Sequence, residues 1–204
     1  MYGLQLQAQD LKKQHDFYGQ LLGFPVLERN RSWFRIQLGT TVLDFETADN
    51  FSPRYRFLIT IPFSIFDSKM DEWSAHVDIH KRRSAFHPAL NPTWYFCDTS
   101  QNIVELSPSP AHAIGITGIM MIVNNLLEVS QQLKRLGLTC IFVDQTRCIL
   151  QNPDDATQIV LIQTSRNSSL SSRKSRIIPT MKSSVFATVC VRNTPHFIYM
   201  VKTQ

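Results

Sequence analysis

A strand, a helix and three further strands follow one another three times in this 204-residue chain, at a spacing of about fifty to sixty residues. Self-similarity of that length restricts the fold to an assembly of small repeated units. In the first pass, residues 3–9 (GLQLQAQ) alternate apolar and polar, as a strand with one wet face does. Asp10 can cap the helix LKKQHDFYGQLL, whose Leu11, Phe17, Tyr18, Leu21 and Leu22 form an apolar stripe. Gly23 closes it and Pro25 prevents its resumption. Strands follow at 26–29, 33–38 and 41–46, the last two joined by a turn at Leu38-Gly39-Thr40. In the second pass a strand over 54–61 leads to a helix from Asp67 through Met70, Trp73 and Val77 to about residue 83. A short strand around 86–90 and two more within 93–106 complete it. The third pass has a strand over 116–123, a helix over 126–136 ending at Gly137, and strands at 139–143, 147–151 and 158–163.

The most distinctive stretch is WYFCDTSQNIVEL, residues 94–106. Two apolar runs flank the polar turn Asp98-Thr99-Ser100-Gln101-Asn102, which predicts a β-hairpin. Glu105 is a carboxylate within an otherwise apolar returning strand. Buried and unpaired it would cost several kcal/mol, so it is either solvated or compensated by a cation, a metal or water.

Charge is unevenly distributed. Residues 165–204 carry seven basic residues (Arg166, Arg173, Lys174, Arg176, Lys182, Arg192 and Lys202) and no acidic ones. The preceding residues hold 14 basic against 16 acidic, so the overall +5 belongs to the tail. Such a tail could touch nucleic acid or an anionic membrane, although a solvated extension is the commoner case. It opens Ser-rich and polar (SRNSSLSSRKSR), which favours disorder, and ends in two alternating runs that could form a hairpin over the third unit's open edge. No apolar run approaches the roughly 20 residues that span a bilayer, and MYGLQLQAQD has no charged-then-apolar leader, so a cytoplasmic protein is expected. Cys97, Cys140, Cys148 and Cys190 are scattered without a CxxC pair and read as reduced thiols.

A second constellation is Glu72, His76 and His80, at i, i+4 and i+8 on the expected second helix. His–x3–His can hold zinc, but the following Lys81-Arg82-Arg83 favours a solvated helix end. His15, His87, His112 and His196 have no identifiable partner in the sequence. No nucleophile or acid–base pair can be assigned, so the catalytic residues are unknown.

DLKKQHDFYGQLLGFPV resembles the first-helix signature of the vicinal oxygen chelate superfamily, the group of glyoxalase I, extradiol dioxygenases, fosfomycin-resistance enzymes and bleomycin-resistance proteins. WYFCDTSQNIVEL resembles its closing hairpin, keeping Asp98, Asn102 and Glu105 but placing Thr99 and Gln101 where Pro and Gly are usual. The resemblance covers residues 3–108 well and 114–163 weakly. It implies an α+β fold of βαβββ units, two of them paired into a cupped mixed sheet around a pocket. On this reading residues 1–110 are the paired modules, 114–163 a third, degenerate half-module, and 164–204 a basic tail.

The resemblance also implies a divalent metal, held by a His or Gln on the first strand, a His on the second unit's first strand, and the closing Glu. Carried over, the closing ligand is Glu105, the first falls on Gly3, and the second falls on Arg56 by strand phase, with Tyr55 or Phe57 one residue to either side. One carboxylate is too few to hold the ion, so Glu105 alone is a candidate metal ligand and no cofactor is expected. A divalent iron, manganese, nickel or zinc ion is the alternative. Arg56 would then stand in the metal's place and pair with Glu105. The expected ligand pocket comprises Glu105, Arg56, Gln5, Gln7, Trp33 and Trp94. The preferred reading is a protein with a degenerate metal site that binds a small apolar or aromatic molecule. The alternatives are a metal-dependent lyase or ring-cleaving dioxygenase, and an interaction module using the tail. A second copy of the chain is one partner that could complete the third unit.

Overall fold

A computed structural model describes residues 2–48, 55–86, 93–123, 125–154, 157–163, 184–191 and 194–200, with the backbone alone for Tyr2, Gly3 and the last two stretches. The first unit comprises β1 (Tyr2–Ala8), α1 (Leu11–His15) running on as a π-helical turn over Asp16–Leu21, β2 (Val26–Arg29), β3 (Trp33–Leu38) and β4 (Thr41–Thr47). The second comprises β5 (Arg56–Pro62), α2 (Phe66–Ser74), β6 (His80–Arg82), β7 (Thr93–Cys97) and β8 (Ile103–Ser109). The third comprises β9 (Gly115–Val123), α3 (Leu126–Arg135), β10 (Thr139–Val143), β11 (Arg147–Gln151) and β12 (Gln158–Gln163), and β13 (Ser184–Val191) and β14 (Thr194–Met200) follow. The α+β class and the strand-rich repeated units agree with the sequence reading.

Local signals explain the helix ends. The Asp10 carboxylate accepts from the Lys13 amide at 3.0 Å, and Gly23 takes a left-handed φ of +74° that ends the turn. Asn125 caps α3 by accepting from the Glu128 amide at 3.1 Å, and Gly137 closes it at φ +96°.

Two units do pair in one mixed sheet, but they are the second and third, a correction to the grouping of residues 1–110. The eight-stranded sheet has the order β10-β11-β12-β9-β5-β8-β7-β6, joined across units by antiparallel β5·β9. The first unit lies in a six-stranded sheet, β14-β13-β1-β4-β3-β2, in which β13 pairs antiparallel with β1. The tail hairpin therefore covers the first unit's edge and not the third's. Each unit's first strand is an edge of its own four-stranded group, and an unpaired edge needs a partner. β9 supplies it for β5 and β13 for β1. The Ser-rich opening of the tail lies outside the described residues.

The second helix is shorter than expected. The Trp73 carbonyl accepts from both His76 and Val77 amides at 2.9 Å, and residues 80–82 become an edge strand against β7. Strand pairing outweighs local helix preference here. Glu72, His76 and His80 thus share no helix face, and among the described residues no three His, Cys, Asp or Glu side chains form a metal-holding group. The strand expected at 86–90 is displaced to 80–82; residues 83–86 are irregular, and 87–90 lie outside the described residues.

One contiguous apolar cluster draws on both sheets and all three helices. Tyr18 rests on Phe45 in the six-stranded sheet, while Phe17 and Trp73 meet Phe96 in the eight-stranded one. The first helix thus lies between the sheets, α2 and α3 pack into the same core against the eight-stranded sheet, and that sheet keeps its other face turned away from them. Gly39 (φ +59°) sits against the backbone of Ile114, whose carbonyl accepts from the Thr40 amide at 2.9 Å; a Cβ at residue 39 would stand 1.7 Å from that oxygen. Cys97, Cys140 and Cys148 are free thiols, with Cys140 and Cys148 sulfurs 3.7 Å apart across β10·β11. Burial, with Cys140 beside it, pushes the Cys148 thiol up to about 11. No helix among the described residues is long and apolar enough to cross a membrane.

Candidate functional site

The hairpin turn between β7 and β8 is a structural staple. Asp98 is buried and accepts from the Tyr18 hydroxyl at 2.9 Å, the Gln14 amide at 2.5 Å, the Asn102 side-chain amide at 2.8 Å, and the backbone amides of Ser100 and Asn102 at 2.9 Å each. Gln14 Oε1 accepts in turn from Thr99 and Ser100 hydroxyls. Asn102 Oδ1 accepts from the Tyr55 amide at 2.8 Å, at the start of β5. Burial raises the Asp98 carboxyl above the usual carboxylate range, and the hydrogen bonds from Asn102, Gln14 and Tyr18 pull it back. Gln101 adopts φ +63°. An L side chain pays for that conformation, so Gln101→Gly is expected to raise stability by about 1 kcal/mol, measured as an upward shift of the urea midpoint. A lowered midpoint would show that the Gln101 side chain contributes more than the backbone strain removes.

That staple fixes the register of β8 and places Glu105, fully buried, on the face of the eight-stranded sheet turned away from the helices. Phe57, Ile59, Phe96, Val104, Leu106, Ile119 and Met121 point to the common core. Strand alternation puts Arg56, Leu58, Glu105 and Tyr95 on the other side. Glu105 Oε1 accepts from Arg56 Nε at 2.5 Å and pairs also with Arg56 Nη2. Arg82 Nη2 stands 3.9 Å from the same oxygen, with its guanidinium 4.4 Å above the Tyr95 ring. The Ser84 hydroxyl donates to Oε2 at 2.8 Å, and the Ala85 amide reaches both oxygens at 3.2 and 3.3 Å. Burial pulls the Arg56 guanidinium below its ordinary pKa and the neighbouring Arg82 charge adds to this, while Glu105 opposes both.

Residues 84–86 cross this face as a strap. Phe86 lies on Gly118, where a Cβ would come within 2.7 Å of its ring, and joins Leu58, Ile149 and Val160 in a second small apolar cluster with Met120 and Ile162 packed against it. At the far side Arg147 Nη2 donates to the Ala85 carbonyl at 2.6 Å. The face therefore carries an apolar strip from β11 to β5, two arginines at one carboxylate, and a third arginine on the strap's carbonyl.

The expected pocket residues do not form one site. Arg56 and Glu105 meet, but Trp94 is on the opposite face of its sheet, edge-on to Phe66 of α2 with Lys81 over its ring. Tyr95, its neighbour, takes the position beside Glu105 because alternation allows only one of the two. Gln5, Gln7 and Trp33 belong to the other sheet. There Gln5 and Gln7 donate to Glu46 at 2.7 and 3.4 Å, and Arg35 forks onto Asp44 at 2.6 and 2.9 Å with its guanidinium over Trp33. Arg82, Ser84, Tyr95 and Arg147 are not among the expected pocket residues. Arg82 lay hidden in a stretch read as helix, and Arg147 comes from a unit not expected to share the sheet.

The donor set around Glu105 does not suit a divalent ion. Both carboxylate oxygens are engaged by N–H and O–H donors, and the nearest side chains are cationic.

The chain has the glyoxalase and dioxygenase type of fold, the fold of the vicinal oxygen chelate superfamily. A putative dioxygenase from Bacillus subtilis superposes with a TM-score of 0.61 at 12% identity, covering 79% of this chain and 63% of that one. A V278E mutant of glyoxalase I from Zea mays gives 0.54 at 16% identity, covering 79% and 66%. The chain thus spans a little under two thirds of the length of both structures. Its sequence matches no protein-family model and no curated protein.

Proposed function

We propose that this protein binds a small apolar or aromatic molecule on the strap-bearing face of the eight-stranded sheet, without a metal ion at Glu105. The observation that supports the reading is the guanidinium of Arg56 on Glu105, with Ser84 and Ala85 on the remaining lone pairs, beside the strip of Leu58, Met120, Ile149, Val160 and Ile162. A carboxylate so capped has no lone pair open for a Lewis acid, whereas the buried apolar strip that Phe86 now packs against, edged by a few polar groups, suits a small organic ligand that takes the place of that ring.

Two measurements test this. After incubation with manganese, iron, nickel and zinc and desalting, the protein is expected to retain no ion by mass spectrometry. Near-stoichiometric retention that disappears in Glu105→Ala would overturn the metal-free reading. Calorimetric titration with a neutral aromatic, naphthalene-2-carboxamide, is expected to show binding that Met120→Lys abolishes, because that change sets a charge in the strip. Binding indifferent to Met120→Lys would place the ligand elsewhere.

The names of the two similar structures, a dioxygenase and a glyoxalase I, favour a lyase or dioxygenase as the second reading. Metal retention at Glu105 is the result that would move it to first place.

A further inference from the structure

Phe86 fills a slot that the sheet leaves open for a flat ring. A Cβ at residue 118 would stand 2.7 and 2.8 Å from two of its ring carbons, so the glycine there is what admits the ring. Leu58, Ile149 and Val160 complete the buried surroundings, with Met120 and Ile162 packed against them, and none of these carries a charge. One polar group interrupts this apolar wall. Gln158 is the partner of Gly118 across β12·β9, and alternation along β12 sets it on the same face as Val160 and Ile162. Its Oε1 is buried and accepts no hydrogen bond among the described residues; Gln151, opposite it on β11, does not supply one. A buried carbonyl oxygen without a donor keeps the full penalty of its desolvation, and the Phe86 ring beside it has only C–H groups to offer.

We infer, resting on the binding reading above, that the ligand of this slot is a neutral aromatic ring bearing an N–H or O–H donor, an indole or a phenol, which replaces the Phe86 ring and donates to Gln158 Oε1. Neutrality follows from the lining, because a charged group among these residues would find no counter-ion within the cluster. Phe86 is then a plug carried by the chain itself. It covers the apolar walls in the free protein and leaves the one acceptor unanswered, so a ring that brings a donor gains an interaction the plug lacks. The plug is held in place through its strap, by Ser84 and Ala85 on Glu105 and by Arg147 on the Ala85 carbonyl. The slot thus distinguishes ligands by a single hydrogen bond, while its walls set only their flatness and size.

The test is calorimetric titration of the full chain with indole and with benzofuran, which has the same shape and a ring oxygen in place of the N–H. Phe86→Ala removes the plug, and this variant is expected to bind indole at least about tenfold more tightly than benzofuran, as a recovered buried hydrogen bond predicts. The unaltered chain should keep that order with both affinities lower, because the ring must first be displaced. Its ratio decides the matter if Phe86→Ala does not fold. Gln158→Leu should erase the preference without weakening benzofuran, whereas a merely structural role for Gln158 would lower both affinities together and leave the ratio intact. Equal binding of the two compounds, a preference for benzofuran, or a ratio untouched by Gln158→Leu would overturn the donor requirement and leave aromatic binding on this face standing. Binding no tighter in a folded Phe86→Ala than in the unaltered chain would overturn the plug and place the ligand outside the slot. Binding of neither compound by either chain would overturn both readings.

Discussion

Replacing Asp98 by alanine is expected to lower folding stability by about 3–5 kcal/mol, a large fraction of what a domain of this size has to lose. The loss would leave the Tyr18 hydroxyl, the Gln14 amide and the Asn102 side chain as buried donors without their acceptor. It would also free the turn that sets Glu105 in register. Urea unfolding followed by tryptophan fluorescence measures it, and a loss below about 1 kcal/mol would show that the staple is redundant. The sign of the pH dependence follows from burial. Asp98 takes up its proton in the folded chain at a higher pH than in the unfolded chain. Its ionisation therefore reduces stability as pH rises from the ordinary carboxylate range through the raised folded value. Asp98→Asn removes that part of the slope, so the variant should gain on the parent chain as pH rises above the ordinary carboxylate range. A gap that widens instead would mean the hydrogen bonds outweigh burial.

Glu105→Ala is expected to cost a similar amount, about 3–5 kcal/mol, because it strands a guanidinium rather than because the pair itself is strongly stabilising. Glu105 is 0% exposed and the Arg56 side chain 20%, with Arg82 close behind, so removing the one negative charge leaves like charges facing each other in a poorly hydrated place. Glu105→Gln keeps an acceptor and should cost less. The double change Arg56→Met with Glu105→Leu should recover most of the loss, since it removes both desolvated charges together. A double variant as unstable as Glu105→Ala would indicate that Glu105 acts mainly through Ser84 and Ala85. Thermal unfolding of the three variants separates these outcomes.

The residues of the closing hairpin that carried the resemblance have different duties in the folded chain. Asp98 and Asn102 bind the turn to the first helix and to the start of β5, which is architecture. Glu105 alone stands on the candidate ligand face. Gln101 in place of glycine was visible as a departure from the motif, and its left-handed backbone shows the same feature as strain.

Much was legible in residue order alone. Alternation and helix caps are local physics, so the boundaries of β10 to β12, the Asp10 cap and the glycine stops could be read directly. The ligand position that the resemblance implies fell on Arg56, which stands opposite Ile103 and reaches Glu105 from there. Three matters were decided by tertiary structure. Residues 80–82 became a strand because β7 offered an unpaired edge, an energy absent from any helical window. The second unit joined the third because edge pairing is non-local, and three similar units leave the choice of partners open to the whole chain. The same choice brought Arg147 from β11 to the Ala85 carbonyl that shares the strap with Glu105. The carboxylate and the guanidinium paired with it belong to one unit, but the strap beside them is held by Arg147 of the next, and only the packing of the two units makes that contact.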